Sequence, residues 1–199
     1  CSPRYRGECQ MRAIVVVVAA ILALAFDSSF GSIFTLRSIG SITPEAMPCL
    51  IVFIALFAPE KMALLIALLL GAIVDLSPGN GELVGGAHVI GPHALGLVVT
   101  TLLVLKVRNV VFRRRVFTIA LLAVAAVIAT GATEALVLII RGAMPWNPPV
   151  SGGGIADFGK LLGTSIYTGI LAVPLGGCFL ATIGVWRFHS PTGRRATWR

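Results

Sequence analysis

Four titratable side chains stand in or beside long apolar runs: Asp75, His93, Glu134 and Lys160. Ionisable groups in such surroundings are costly, which makes each a candidate for function. Glu134 lies six residues before Ile140, about 9 Å inside its run at 1.5 Å per helical residue. Facing lipid there would cost roughly 2–3 kcal/mol, so the side chain faces other helices or carries a proton. It anchors a partner or ligand, or it makes a plain structural hydrogen bond to Thr or Ser of the last apolar run. Asp75 closes one run, His93 opens the next and Lys160 opens the last, so all three are expected at one end of a helix bundle, in one polar cluster with Glu134. Between Asp75 and His93 a Gly/Pro-rich stretch (Ser77-Pro78-Gly79-Asn80-Gly81, then Gly85-Gly86) folds back and brings the two helix ends together. The plainer reading of Asp75 is a capping carboxylate, and of His93 a satisfied imidazole.

No pattern for bond-making chemistry accompanies these residues. The chain has no Gly-x-Ser-x-Gly elbow, no His-Glu-x-x-His and no Gly-x-x-x-x-Gly-Lys phosphate loop. His88 and His93 are five apart, which fits neither one helix face nor a zinc pattern. No enzyme, no metal site and no cofactor are expected.

The elements that position these residues follow from composition. Of 199 residues 57% are hydrophobic and 12% charged, too few polar groups to cover a soluble core of this size, so most of the surface faces lipid. The fold class is all-α, a polytopic membrane helix bundle. A window of about 20 residues, the length of a bilayer crossing, finds six apolar spans: 13–30, 47–58, 62–76, 91–106, 116–140 and 161–186. The second and third are short and form a hairpin around Pro59-Glu60-Lys61. Pro92 suits a first helical turn, and Pro174 is expected to kink the last span. Residues 13–186 make one transmembrane domain between an N-terminal tail, 1–12, and a basic tail, 187–199.

Charge sets the orientation. The net charge of +8 would suggest nucleic acid in a soluble protein, but the cations sit beside apolar runs, and no nucleic-acid partner is expected. Segments on the N-terminal side of the bundle hold 13 of the 16 Lys and Arg, the other side only Arg37, Arg141 and Lys160. Both termini are therefore expected in the cytoplasm. The loop carrying Lys106, Arg108, Arg113, Arg114 and Arg115 fixes topology and touches anionic lipid headgroups; docking of an acidic cytoplasmic partner is the sharper reading. Met11-Arg12 directly precedes the first span, which makes Met11 a candidate start residue; acylation of Cys1 would put the N-terminus on the wrong side. Cys49 and Cys178 lie in apolar runs and read as small hydrophobes, and no disulfide is expected. Small-residue pairs at Gly159/Gly163, Gly177/Ala181 and Ala19/Ala23 suit close helix contacts.

Three stretches carry a family resemblance: 48–56, then Gly71-Ala72-Ile73-Val74-Asp75-Leu76, then Gly91-Pro92-His93-Ala94-Leu95-Gly96, followed by a basic loop and a long apolar span. Together they resemble the rod shape-determining protein MreD family, over roughly residues 48–140. The resemblance implies a non-enzymatic component of the cell-elongation machinery in the bacterial inner membrane. Its partners would be MreC-like and MreB-like proteins and the peptidoglycan synthases, besides membrane lipids. Asp75 and His93 match the family motif; Glu134 comes from the intramembrane cost alone. The rival reading is the substrate-binding membrane subunit of an energy-coupling-factor vitamin transporter, in which the polar cluster would be a vitamin pocket. The orientation has a direct check: a reporter fused after Arg199 should be active in the cytoplasm, and periplasmic activity would overturn the charge argument.

Overall fold

The computed structural model describes residues 13–30, 33–35, 42–77, 83–84, 87–88, 91–108, 116–143 and 155–186. Among them, helices stand at all six expected places: α1 Ala13–Ala25, continued by a wider π turn Phe26–Phe30, α2 Ala46–Phe57, α3 Glu60–Leu76, α4 Pro92–Val107, α5 Val116–Gly142 and α6 Ile155–Ala181. A short α7, Ile183–Trp186, completes the run expected as the sixth span. Helix α6 carries through Pro174. One departure from all-α lies within 77–91, where Leu83–Val84 and Ala87–His88 (β1 and β2) pair antiparallel as a small hairpin. In the sequence Gly85-Gly86 stands between the two strands.

Among the described residues two helices, Val116–Val137 and Phe158–Ala181, are long and apolar enough by length and composition to cross a membrane. Apolar side chains are exposed along most of the bundle, including Ile14, Ile21 and Leu22 of α1, Phe117 and Leu121 of α5, and Ile166 and Ile170 of α6. Exposed apolar surface on this scale is what a lipid-facing protein presents.

The bundle is arranged differently from the hairpin that the 47–76 pattern suggests. Helix α2 is its central pillar, buried from Ala46 to Leu56 on every face and surrounded by α1, α4, α5 and α6; α3 packs chiefly on α4. A helix that is apolar all round belongs in a core, and α2 has no polar stripe to turn outward. Buried hydroxyls join the other helices. Thr100 of α4 lies 3.0 Å from the Thr130 hydroxyl of α5 and donates to the Ala126 carbonyl at 3.3 Å. The Glu45 N–H donates to Thr168 of α6 at 3.1 Å. Such hydroxyls hold helices together where there is no water to compete.

At the end of α2 nearer α3, Phe53 stacks on Phe179 and meets Phe57 and Trp186 at tilted or edge-on angles, with ring centroids 5.0–5.1 Å apart. Phe53 has no solvent exposure. Phe53→Ala should therefore cost about 3–5 kcal/mol and lower the thermal unfolding midpoint in detergent. Phe117→Ala, at a side chain 81% exposed, should leave the midpoint nearly unchanged. Equal midpoints for the two variants would contradict the central position of α2.

Candidate functional site

The site begins with glycine. A methyl group built on Gly71 would collide with the Ala94 backbone, so α3 and α4 can cross at this distance only because residue 71 has no side chain. One turn further on, Asp75 lies on the same helix face and its carboxylate reaches the open N-terminus of α4. It accepts the Gly91 N–H at 2.8 Å, the His93 N–H at 3.2 Å and the Ala94 N–H at 3.2 Å. The anion also sits at the positive pole of the α4 dipole. Gly91 makes the geometry possible at the other side: its φ of 125° lies in the left-handed region that other residues avoid.

The imidazole of His93 then joins Asp75 to a third helix. Its Nδ1 is 3.1 Å from Asp75 Oδ1, and its Nε2 is 3.4 Å from Glu134 Oε1 on α5. A neutral ring can donate through one nitrogen only, whereas the imidazolium donates to both carboxylates. Exposure differs along the chain of three: the Asp75 side chain is 1% exposed, His93 29% and Glu134 24%. Asp75 is enclosed by the structure it organises, and His93 and Glu134 present an accessible edge.

Three of the four residues expected to cluster are thus brought together. Lys160 stands apart: it is exposed on the first turns of α6 and forms no ion pair with the other three. A long cationic stem near a helix end extends toward the polar phase, which removes it from the trio. Among the described residues no group of three or more His, Cys, Asp or Glu is placed to hold a metal ion.

Of the basic loop, Arg113, Arg114 and Arg115 lie outside the described residues, and Lys106 is exposed. Arg108 turns inward. Its Nη1 donates to the Ala58 carbonyl at 3.0 Å and its Nη2 to Glu60 Oε1 at 2.9 Å, which fastens the end of α4 to the corner between α2 and α3.

Sequence reasoning did not single out Asp27. Its carboxylate accepts the Ala46 N–H at 2.6 Å and the Met47 N–H at 3.0 Å, capping α2 from another helix. A signal was present: Glu45 occupies the cap position without using its side chain there, and an acid within residues 13–30 demands a partner. The small-residue pairs divide. Gly163 backs onto Ile42, whereas a methyl at Gly159 or Gly177 would meet nothing within 4 Å.

These features define a helical membrane protein whose intramembrane polar groups bind helices to one another and leave a small charged edge at one end. A family model described as rod shape-determining protein MreD matches residues 11–150, more than two thirds of the chain and all three residues of the trio. Neither a curated protein nor a solved structure matches. The chain belongs to the MreD family. It is accordingly a rod shape-determining membrane protein of bacteria, in a family that acts in shape determination and is not known for an enzymatic activity.

The close approach of α3 and α4 yields a measurable contrast. Gly71→Ala should cost about 1–3 kcal/mol by forcing the helices apart, whereas Gly177→Ala should be neutral or stabilising by up to about 1 kcal/mol. Asp75→Ala leaves several N–H groups and the His93 ring without their acceptor and should cost about 2–5 kcal/mol. Thermal unfolding in detergent reads all three, and equal midpoints for the two glycine variants would refute the contact.

Proposed function

We propose that this chain is a multi-pass, non-enzymatic component of the cell-elongation machinery in the bacterial inner membrane, with both termini in the cytoplasm. It links an MreB-like cytoskeleton to peptidoglycan synthesis by holding an MreC-like partner and wall synthases through helix contacts and through the exposed edge of the trio. The family match over residues 11–150 is the observation that carries this reading. The site supports it: Asp75 fixes the α3–α4 crossing, and the paired His93 and Glu134, each about a quarter exposed, form a charged surface that a partner at the outer side can cover. Burying such a pair against a complementary surface fixes register and orientation more than it adds affinity. No bond is made or broken. The family match gives no support to the vitamin-transporter reading.

The test is complementation in a rod-shaped bacterium depleted of its own family member. The parent chain should restore rods and co-purify with the MreC-like protein. Glu134→Gln keeps shape and removes charge; it should insert normally, lower partner recovery about tenfold, a loss of 1.4 kcal/mol, and give rounded cells. Rods with undiminished partner recovery would place the contact elsewhere, and failure of the parent chain to restore shape would overturn the proposed role itself.

A further inference from the structure

A helix opens on N–H groups that have no carbonyl one turn back, and at α2 they are few. Pro48, in the first turn, has no N–H. The Ala46 and Met47 groups donate to the two carboxylate oxygens of Asp27, at 2.6 and 3.0 Å. The Glu45 N–H donates to the Thr168 hydroxyl of α6 at 3.1 Å. Glu45 stands at the cap position, from which a short polar side chain ordinarily accepts one of these bonds, yet its side chain makes no cap hydrogen bond. An acid from another element has already taken the donors.

Two carboxyl groups therefore meet at one helix end that has donors for one. Beside Glu45, among the described residues, the titratable groups are Asp27 of the π turn and Cys49 of α2, whose Sγ is 3.6 Å from the Glu45 carbonyl; α6 presents the uncharged Thr168 there. Burial, and after it the charge of Asp27, push the Glu45 carboxyl from its ordinary 4.5 up to about 7. Acids placed in this way do not ionise independently: the second proton leaves only against the charge left by the first.

We infer that Glu45 and Asp27 form a proton-operated latch between α1 and α2. While Glu45 keeps its proton, Asp27 holds the first turn of α2, and the π turn after α1 is fastened to the central helix. When Glu45 gives its proton to water, its carboxylate repels that of Asp27 and competes for the Ala46 and Met47 N–H groups. Asp27 is displaced, and α1, which rests on α2 and touches α7, is released at that end. The closed latch binds a proton that the open one loses. Closure is thus favoured in full below 4.5, weakens as pH rises, and loses nothing more above about 7. The latch is separate from the Asp75–His93–Glu134 trio. The topology proposed above decides only which compartment's pH it reads, the outer one.

Cys49 lies buried under this joint, with no exposure, and serves as the probe. In a Cys1→Ser, Cys9→Ser, Cys178→Ser background it is the one thiol left. The full chain in detergent is labelled with N-ethylmaleimide from about pH 5 to about pH 8, beside its Glu45→Gln variant, in which the latch stays closed. The thiol and the trio are common to both chains, so their own response to pH cancels in the ratio of labelling rates. That ratio, parent over variant, should be near unity at about pH 5, climb by up to about tenfold per pH unit and level off above about 7. Glu45→Ala, likewise without the charge, should follow Glu45→Gln. A ratio that stays flat or falls across this range overturns the inference, and so does an equal rise in the Glu45→Ala chain.

Discussion

A helix with no face toward solvent or lipid still has open N–H groups at one end and open carbonyls at the other, and α2 is such a helix. Each orphan group, left buried without a partner, costs about 1–3 kcal/mol, and more in hydrocarbon. The rest of the bundle is organised around meeting that demand. Asp27, from the turn after α1, accepts the first two N–H groups; Arg108, from the end of α4, donates to the carbonyl of Ala58 just past the last turn. The anion stands at the positive pole of the helix and the cation at the negative pole, so both contacts gain from the macrodipole as well as from hydrogen bonding. With its ends closed by α1 and α4 and its sides covered by α4, α5 and α6, the central helix fixes where four other elements can lie.

The same device recurs at α4. Its N-terminus is closed by a carboxylate from a different helix, and there too the donor groups are met by an acid that is itself almost without exposure. The two aspartates spend their charge on architecture. The part of the network that Asp75 does not enclose is the ring of His93 and the carboxylate of Glu134, each about a quarter exposed. A buried acid is therefore not in itself a binding residue: Asp75 holds the α4 backbone to which His93 is attached, and its loss would displace that ring.

Helix positions were legible because long apolar runs of this composition fold as helices, which meet every backbone hydrogen bond within the segment. The meeting of Asp75, His93 and Glu134 was legible because all three had to lie near one end of the bundle. The order of helices in space was not. When every face of a segment is apolar, periodicity carries no information about which neighbour it touches, and 47–58 read as half of a hairpin where the structure makes it the core. Asp27 escaped for a related reason. It caps a helix that begins 19 residues later in the chain, and cap patterns in sequence reveal only side chains adjacent to the helix they serve. Lys160 was placed by its depth alone, which ignores the reach of a flexible stem.

The position of Arg108 also orders biosynthesis. Ala58 precedes it by 50 residues, so at about 5–20 residues per second the carboxyl end of α2 waits roughly 3–10 s for its cation. During that interval α2 has its aspartate but not its arginine, and three helices are complete without a closed centre. The contact that closes the carboxyl end of the central helix thus forms only after the fourth helix has been synthesised.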